Sequence, residues 1–217
     1  EIISADSRQV YRGMNLGSGK ITSKEMAGLP HQLLDVVSPT KTFSVAQYQK
    51  SARKKIREIL KRGKLPIICG GTGFYIQSIV DNLVLPEVPP NKILRARLLI
   101  LSTKQLFEKL KRLDPKRAKN IDGKNPHRLI RAIEIAIALG KVPPLTRGTL
   151  DNPIKGSPRY EFIQIGINLP PKILRQKIHQ RLLLRMRDGM LVEVRLLHKQ
   201  GISWKKLESF GLEYRYL

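Results

Sequence analysis

The chain has 217 residues, 41% of them hydrophobic, which is enough for one sizeable core or for a core domain that carries a smaller insertion. Lysine and arginine total 41 against 17 acidic residues, and a net charge of +24 favours a polyanion, above all nucleic acid, as partner. No run approaches the roughly 18 apolar residues of a membrane span, the single cysteine excludes an internal disulfide, and the histidines lack zinc-site spacing. We therefore expect a soluble, cytoplasmic protein without structural metal; a heavily solvated basic surface is the alternative explanation of the charge.

The first part of the chain has alternating strand and helix patterns. Glu1 opens, without a Met, on a short apolar run typical of a strand, and we expect that both ends of the chain are cut. Apolar positions recur at helical spacing over 45–60 opposite a basic face, which predicts an amphipathic helix that Gly63 ends. Residues 65–69 then predict a short buried strand that runs into the glycine turn at 70–73. This order is typical of α/β winding.

A proline-rich segment at 83–90 interrupts the α/β pattern and predicts a domain junction. One long helix is predicted from about 91 to 113. An Asp-Pro pair at 114–115 and an Asn-Pro pair at 125–126 each place an N-cap before a proline at the first helical position. Further helices are therefore predicted at both points, the second ending at Gly140.

The last part of the chain is predicted to return to the core sheet. A loop is expected over 141–159, and the alternating residues 161–169 predict a strand. Helical patterns follow over 173–186 and 191–197.

Three segments follow from these elements. Residues 1–84 are predicted to form the first part of an α/β core and residues 85–158 an all-helical insertion. Residues 159–217 are predicted to form the second part of the core with its C-terminal helices. The opening strand of such a core is missing from the pattern.

A Gly-Ser-Gly-Lys run at 17–20 resembles the end of a phosphate-binding loop. The full pattern needs a glycine where Met14 stands and a hydroxyl residue where Ile21 stands. We therefore interpret the run as a surface loop.

Two strand ends carry candidate site residues. Asp6 follows the first strand, and ligands bind at the carboxyl ends of strands in open α/β sheets, so Asp6 is placed to act as a general base. The turn at 70–73 lets a ligand approach the backbone, and Thr72 offers a hydroxyl. Helix capping or an ordinary turn is the alternative in both cases.

Basic side chains in the predicted insertion are candidates for binding phosphate. Arg95 and Arg97 each present a guanidinium fork suited to phosphate. His127, Arg128 and Arg131 lie near a predicted helix start, where free amides favour anions. A solvated surface and simple capping are the competing explanations.

Taken in order, these segments resemble the tRNA dimethylallyltransferase family, also called tRNA isopentenyltransferases, over nearly the whole chain. The most specific match is ISADSRQVYRGM at 3–14, which is similar to the family pattern I-S-x-D-S-x-Q-x-Y-K/R-G-M. Further matches lie at 30–35, 43–45, 70–75, 125–134 and 174–197.

The resemblance implies a P-loop nucleotide-kinase-like parallel sheet core with a helical insertion that grips the tRNA anticodon stem-loop. It implies transfer of a dimethylallyl group from dimethylallyl diphosphate to N6 of the adenosine 3′ of the anticodon, with Mg²⁺ bridging the diphosphate oxygens. Asp6 is the expected catalytic base and Arg95 the first choice to neutralise diphosphate or RNA backbone, with Arg97 second. The expected tRNA-binding residues are Asp6, Ser7, Arg8, Gln9, Thr72, Arg95, Asn125, Pro126, His127, Arg128 and Leu129. A monomer is expected.

Two departures from the family pattern limit these expectations. In the family, a strand and a Gly-rich phosphate loop that holds the donor precede the Asp motif, and more helices follow the segment matched at 210–215. The chain alone is therefore expected to bind the donor weakly or not at all. The alternatives are a catalytically inactive RNA-binding remnant of this family, a small-molecule nucleotide kinase, and a related transferase acting on free adenine nucleotides.

Overall fold

A computed structural model describes residues 1–146, 160–211 and 213–216. These residues fall into two compact units, one formed by residues 1–82 with the described residues from 160 onward, the other by residues 83–146. The predicted junction at 158/159 and part of the predicted loop at 141–159 lie outside the described residues. In chain order the elements are β1 (Ile2–Ser4), β2 (His31–Gln32), α1 (Val45–Lys61), β3 (Ile67–Cys69), α2 (Gly73–Val80), α3 (Lys92–Leu99), α4 (Thr103–Leu113), α5 (Pro115–Lys119), α6 (Pro126–Leu139), α7 (Pro171–Arg187), α8 (Met190–Lys199), α9 (Trp204–Phe210) and α10 (Glu213–Tyr216).

The first unit is built on a parallel sheet with strand order β2-β1-β3. In the central strand, Ile2 pairs with His31 on one side and with Ile67 on the other. Ile3 is fully buried and shares a core with the apolar face of α1, which includes Tyr48. The sheet therefore has α1 packed against its central strand.

Helix α1 confirms the helix predicted over 45–60. Its start is fixed by a capping box, because the Ser44 side chain accepts the N–H of Gln47 while the Gln47 side chain accepts the N–H of Ser44. At its other end Gly63 has a positive φ of 67°, which glycine adopts without a steric penalty.

The predicted strand at 161–169 is wrong. This segment has no strand in the structure, and the alternating side chains of Ile163, Ile165 and Ile167 are 93%, 87% and 92% exposed. Alternation makes a strand only where a neighbouring strand supplies hydrogen bonds, and none of the described strands pairs with this segment. Only Tyr160 and Phe162 at its start pack against the core.

A second core in this unit joins the N-terminal segment to the C-terminal helices. Val10 and Met14 pack with Val194 of α8 and with Leu207 and Phe210 of α9. Helices α7 and α8 confirm the helical patterns predicted there. The chain that follows Asp6 is thus held against α8 and α9.

The second unit is helical, and the single helix predicted from 91 to 113 is wrong. Two helices, α3 and α4, stand in its place. Ser102 starts α4 with a capping box to Gln105, and this cap ends the helical run at Ile100.

The two predicted N-caps of this unit are confirmed. Asp114 accepts the N–H of Arg117 at the start of α5, and Asn125 accepts the N–H of Arg128 at the start of α6. Gly140 ends α6 in the left-handed conformation. Apolar side chains of α4 and α6 then form the core of the unit.

Candidate functional site

The carboxyl ends of β1 and β3 meet at one edge of the sheet. Ala5 continues the pairing, since its N–H donates to the carbonyl of Cys69 (2.8 Å) and its carbonyl accepts the N–H of Thr72 (3.0 Å). Parallel strands end on the same side, so the segment at Asp6 and Ser7 lies beside Thr72. Ser7 and Thr72 are 65 residues apart in the sequence.

One oxygen of the Asp6 carboxylate shapes the turn that follows β1. Oδ1 accepts the backbone N–H of Arg8 (2.7 Å) and of Gln9 (3.1 Å). Within the described residues Oδ2 accepts no hydrogen bond, and the residue is half-buried. Asp6 therefore forms the turn with one oxygen and presents the other as an acceptor.

Ser7 and Gln9 are fixed beside Asp6. The N–H of Ser7 donates to Oγ1 of Thr72 at 2.9 Å, and the two hydroxyl oxygens lie 3.3 Å apart. Nε2 of Gln9 donates to the carbonyl of Gly19 at 3.1 Å. The predicted site residues 6–9 and Thr72 thus form one arrangement.

Gly70 is required by the close crossing of the β3 loop over β1. A Cβ at this position would lie 2.4 Å from the carbonyl oxygen of Ala5, closer than any real contact. Gly71 and Gly73 have no such neighbour. The approach of Gly70 to Ala5 places Thr72 against Ser7.

The loop that leads into the Gly-Ser-Gly-Lys run wraps around a carboxylate. Glu193 accepts the backbone N–H groups of Asn15, Leu16 and Gly17 at 2.8–3.1 Å. The hydroxyl of Tyr214 donates to the same carboxylate at 2.7 Å. Glu193 of α8 therefore occupies these three amides, of which only that of Gly17 belongs to the run. The amides of Gly19 and Lys20 donate to the carbonyls of Leu16 and Asn15.

In the second unit, Arg95 forms a two-bond ion pair with a buried carboxylate. Its Nε and Nη2 donate to Glu134 at 2.9 and 2.7 Å, and Arg131 donates to the same carboxylate at 2.7 Å. Burial opposes ionisation of Glu134, but the hydrogen bonds from Arg95, Arg131 and the N–H of Asn91 lower its pKa to about 2. The role of Arg95 in neutralising diphosphate stays a prediction, and Glu134 competes for its guanidinium.

The segment 125–129 has a mixed role. Asn125 caps α6 while His127 and Arg128 are exposed and available to a ligand. Leu129 is fully buried, and its side chain packs in the core of this unit. Its predicted contact with RNA stays a prediction.

Sequence reasoning missed Lys206 and named Phe210 only as part of the matched segment 210–215. Both side chains lie near Arg8, since Lys206 and Arg8 each approach the Phe210 ring. Almost 200 residues separate the two segments, and no local pattern indicates such a contact.

The described residues contain neither a metal-binding cluster nor a membrane-spanning helix. No group of three or more His, Cys, Asp or Glu residues there is placed to hold a metal ion. None of the helices in that part of the chain has the length and apolar character needed to cross a membrane.

A parallel sheet that presents a carboxylate and two hydroxyls at the ends of neighbouring strands is typical of open α/β proteins, a class whose ligands bind at the strand ends. A sequence model of the family described as IPP transferase matches residues 9–217. The chain belongs to this family.

Its relatives include two proteins named tRNA dimethylallyltransferase. One from Geotalea daltonii is 42% identical over all of this chain and 67% of its own length, and one from Bacillus pumilus is 38% identical over all of this chain and 68% of its own. Among solved structures, the full-length tRNA isopentenylpyrophosphate transferase of Bacillus halodurans is 36% identical over 93% of this chain, with a TM-score of 0.60. A eukaryotic dimethylallyltransferase acting on tRNA, 23% identical over 96% of this chain and 52% of its own, shares the fold with a TM-score of 0.76. The chain spans 62% of the Bacillus halodurans protein and about two thirds of the other two bacterial relatives.

Proposed function

We propose that this chain acts, as part of a tRNA dimethylallyltransferase, in the transfer of a dimethylallyl group from dimethylallyl diphosphate to N6 of the adenosine 3′ of the anticodon. The observation that carries the proposal is the free Oδ2 of Asp6, held at the sheet edge beside Ser7 and Thr72. Membership of the family and the net charge of +24 support it.

The chemistry requires a base. The lone pair of an adenine amino group is delocalised into the ring, so the nitrogen becomes a nucleophile only as its proton is removed. In the proposed step N6 forms a bond to the allylic carbon, the bond from that carbon to the diphosphate oxygen breaks, and Asp6 accepts the N6 proton. The two backbone N–H groups on Oδ1 fix the carboxylate, so that Oδ2 is left for this proton.

The helical unit at 83–146 is proposed to grip the anticodon stem-loop. His127 and Arg128 are exposed at the start of α6, where the helix dipole also favours phosphate. A target base must leave its stack to reach a carboxylate at a sheet edge, so we propose that the adenosine is flipped out.

Mg²⁺ is proposed to bind only together with the diphosphate. Hard oxygen ligands suit this ion, but the described residues contain no cluster that would hold it. Beside these residues the ion would depend on the diphosphate oxygens as its ligands.

Labelled dimethylallyl transfer to unmodified tRNA tests the proposal. The chain is assayed alone and after fusion to the phosphate-loop segment of the Geotalea daltonii relative, because the family resemblance places donor binding there. Transfer is expected from the fusion and not from the chain alone. Binding of tRNA without transfer by the fusion would instead favour the inactive RNA-binding remnant.

Asp6→Asn in the fusion tests the role of Asp6 as the general base. The substitution keeps an oxygen that can accept the two turn hydrogen bonds, so a rate loss of about 10²- to 10⁴-fold is expected with a much smaller change in tRNA affinity. Glu161→Gln removes an exposed carboxylate from the same unit and is the matched control. An unchanged rate in Asp6→Asn would remove Asp6 from the mechanism.

A further inference from the structure

Arg8 and Lys206 converge on one buried aromatic ring. Cζ of Arg8 lies 5.9 Å from the centroid of Phe210, and Nζ of Lys206 lies 5.1 Å from the same centroid. Phe210 is 2% exposed and packs in the core shared by α8 and α9, so the ring is a fixed support. Cation–π attraction holds both side chains near it.

Within the part of the chain that the structure describes, neither cation has an acidic partner. Among the described residues, no salt bridge or side-chain hydrogen bond engages the charged group of Arg8 or of Lys206. Both residues are half-buried, and burial together with the nearby Arg8 charge lowers the pKa of Lys206. Two like charges are costly to hold together without a counterion, so an anion bound between them would be stabilised by both.

The pair lies next to the proposed base. The backbone N–H of Arg8 donates to Oδ1 of Asp6 at 2.7 Å, so Arg8 belongs to the turn that Asp6 forms. Lys206 lies in the first half of α9, and this helix shares its core with Val10 and Met14. The charges are therefore supplied by two segments that the core holds together.

We infer that Arg8 and Lys206 bind one backbone phosphate of the RNA whose base reaches Asp6. Phosphate contacts fix the register of a nucleic acid. A phosphate contact in the turn that Asp6 forms would therefore set which nucleotide enters the site. Lys206 is on this view a positioning residue. The inference rests on the proposed function and adds to it a residue and a phosphate contact.

The test uses Lys206→Gln, with Lys205→Gln as matched control. Lys205 is the preceding residue of α9, is exposed and lies over none of the described aromatic rings. Binding of a fluorescently labelled anticodon stem-loop RNA is measured with the whole chain at several salt concentrations, and thermal unfolding checks the fold of each variant.

Loss of one phosphate contact is expected to lower affinity roughly five- to tenfold at low salt. It should also reduce the slope of log affinity against log salt by about 0.7 to 1. Lys206→Arg should restore the slope, and Lys205→Gln should leave it unchanged.

Three results would overturn the inference. An unchanged slope in Lys206→Gln, with parental RNA binding intact, would remove the contact and leave the proposed function standing. Equal losses in both lysine variants would indicate a diffuse charge effect. A loss of binding only to inorganic diphosphate, measured in parallel, would assign the pair to the donor and not to RNA. A parent chain that binds no RNA at all would count against the proposed function itself.

Discussion

The backbone N–H of Ser7 donates a 2.9 Å hydrogen bond to Oγ1 of Thr72 and so joins the ends of two parallel strands at the candidate site. A loop on one strand thereby fixes the residue next to Asp6 on the other. Since Asp6 holds its own turn through Oδ1, its orientation depends on two hydrogen-bonded segments and not on its side chain alone.

Thr72→Val tests this relationship, because it keeps the side-chain shape and removes the acceptor. The unpaired N–H of Ser7 should cost about 1–3 kcal/mol of unfolding free energy. Transfer by the fusion should fall roughly tenfold or more as Asp6 loses its fixed position. Thr72→Ser retains the hydroxyl and should behave like the parent, and equal rates in the valine and serine variants would contradict the role of the hydrogen bond.

Gly70→Ala should destabilise the first unit. The new Cβ would lie 2.4 Å from the carbonyl oxygen of Ala5, and backbone must shift to relieve the clash, at a cost of about 1–3 kcal/mol. Gly71→Ala is the matched control, because a Cβ there has no neighbour within 4 Å. Urea unfolding of both variants compares the costs, and similar midpoints would show that the crossing relaxes freely.

Local signals predicted most helices but not all of their ends. The Asn125 and Asp114 caps are readable because a cap and a following proline act within one turn. The break before α4 was missed although Ser102 and Gln105 carry the capping-box spacing, since the apolar pattern continued across it.

Contacts between segments that are distant in the sequence could not be predicted from the sequence. The alternation of Ile163, Ile165 and Ile167 predicted a strand, but alternation does not identify a pairing partner. In the site, Asp6 and Thr72 were singled out by their places after strands, whereas the approach of Lys206 to the ring near Arg8 depends on how two distant segments pack.

Substitutions of Leu129 and of its neighbour Arg128 should distinguish a packing role from an RNA-binding role. Leu129→Ala opens a cavity in a fully buried position and should cost about 2–5 kcal/mol of unfolding free energy. Arg128→Ala, at an exposed position, should leave stability nearly unchanged and weaken binding of the stem-loop RNA. Urea unfolding and RNA titration of both variants check this, and a stable Leu129→Ala that loses RNA binding would support the predicted RNA contact of Leu129.

Glu134 should make the helical unit sensitive to acid. Its pKa is lowered from 4.5 to about 2, so its contribution to stability is fully present above pH 4.5 and is lost as the pH falls towards 2. That contribution is on the order of 2–3 kcal/mol, since the half-exposed arginines are partly screened by solvent. Hydrogen exchange of α6 amides between pH about 5 and 2 measures the loss.

Glu134→Gln removes the charge from between Arg95 and Arg131 and should cost about 3–5 kcal/mol at neutral pH, because two guanidinium groups lose a buried partner. The acid-dependent part of the stability should disappear with it. The transfer rate of the Glu134→Gln fusion is compared with its folded fraction. If the rate falls only as much as the folded fraction falls, Arg95 acts through its ion pair with Glu134. A larger loss in Arg95→Gln than in Glu134→Gln, at equal stability, would instead show that the guanidinium contacts diphosphate or RNA directly.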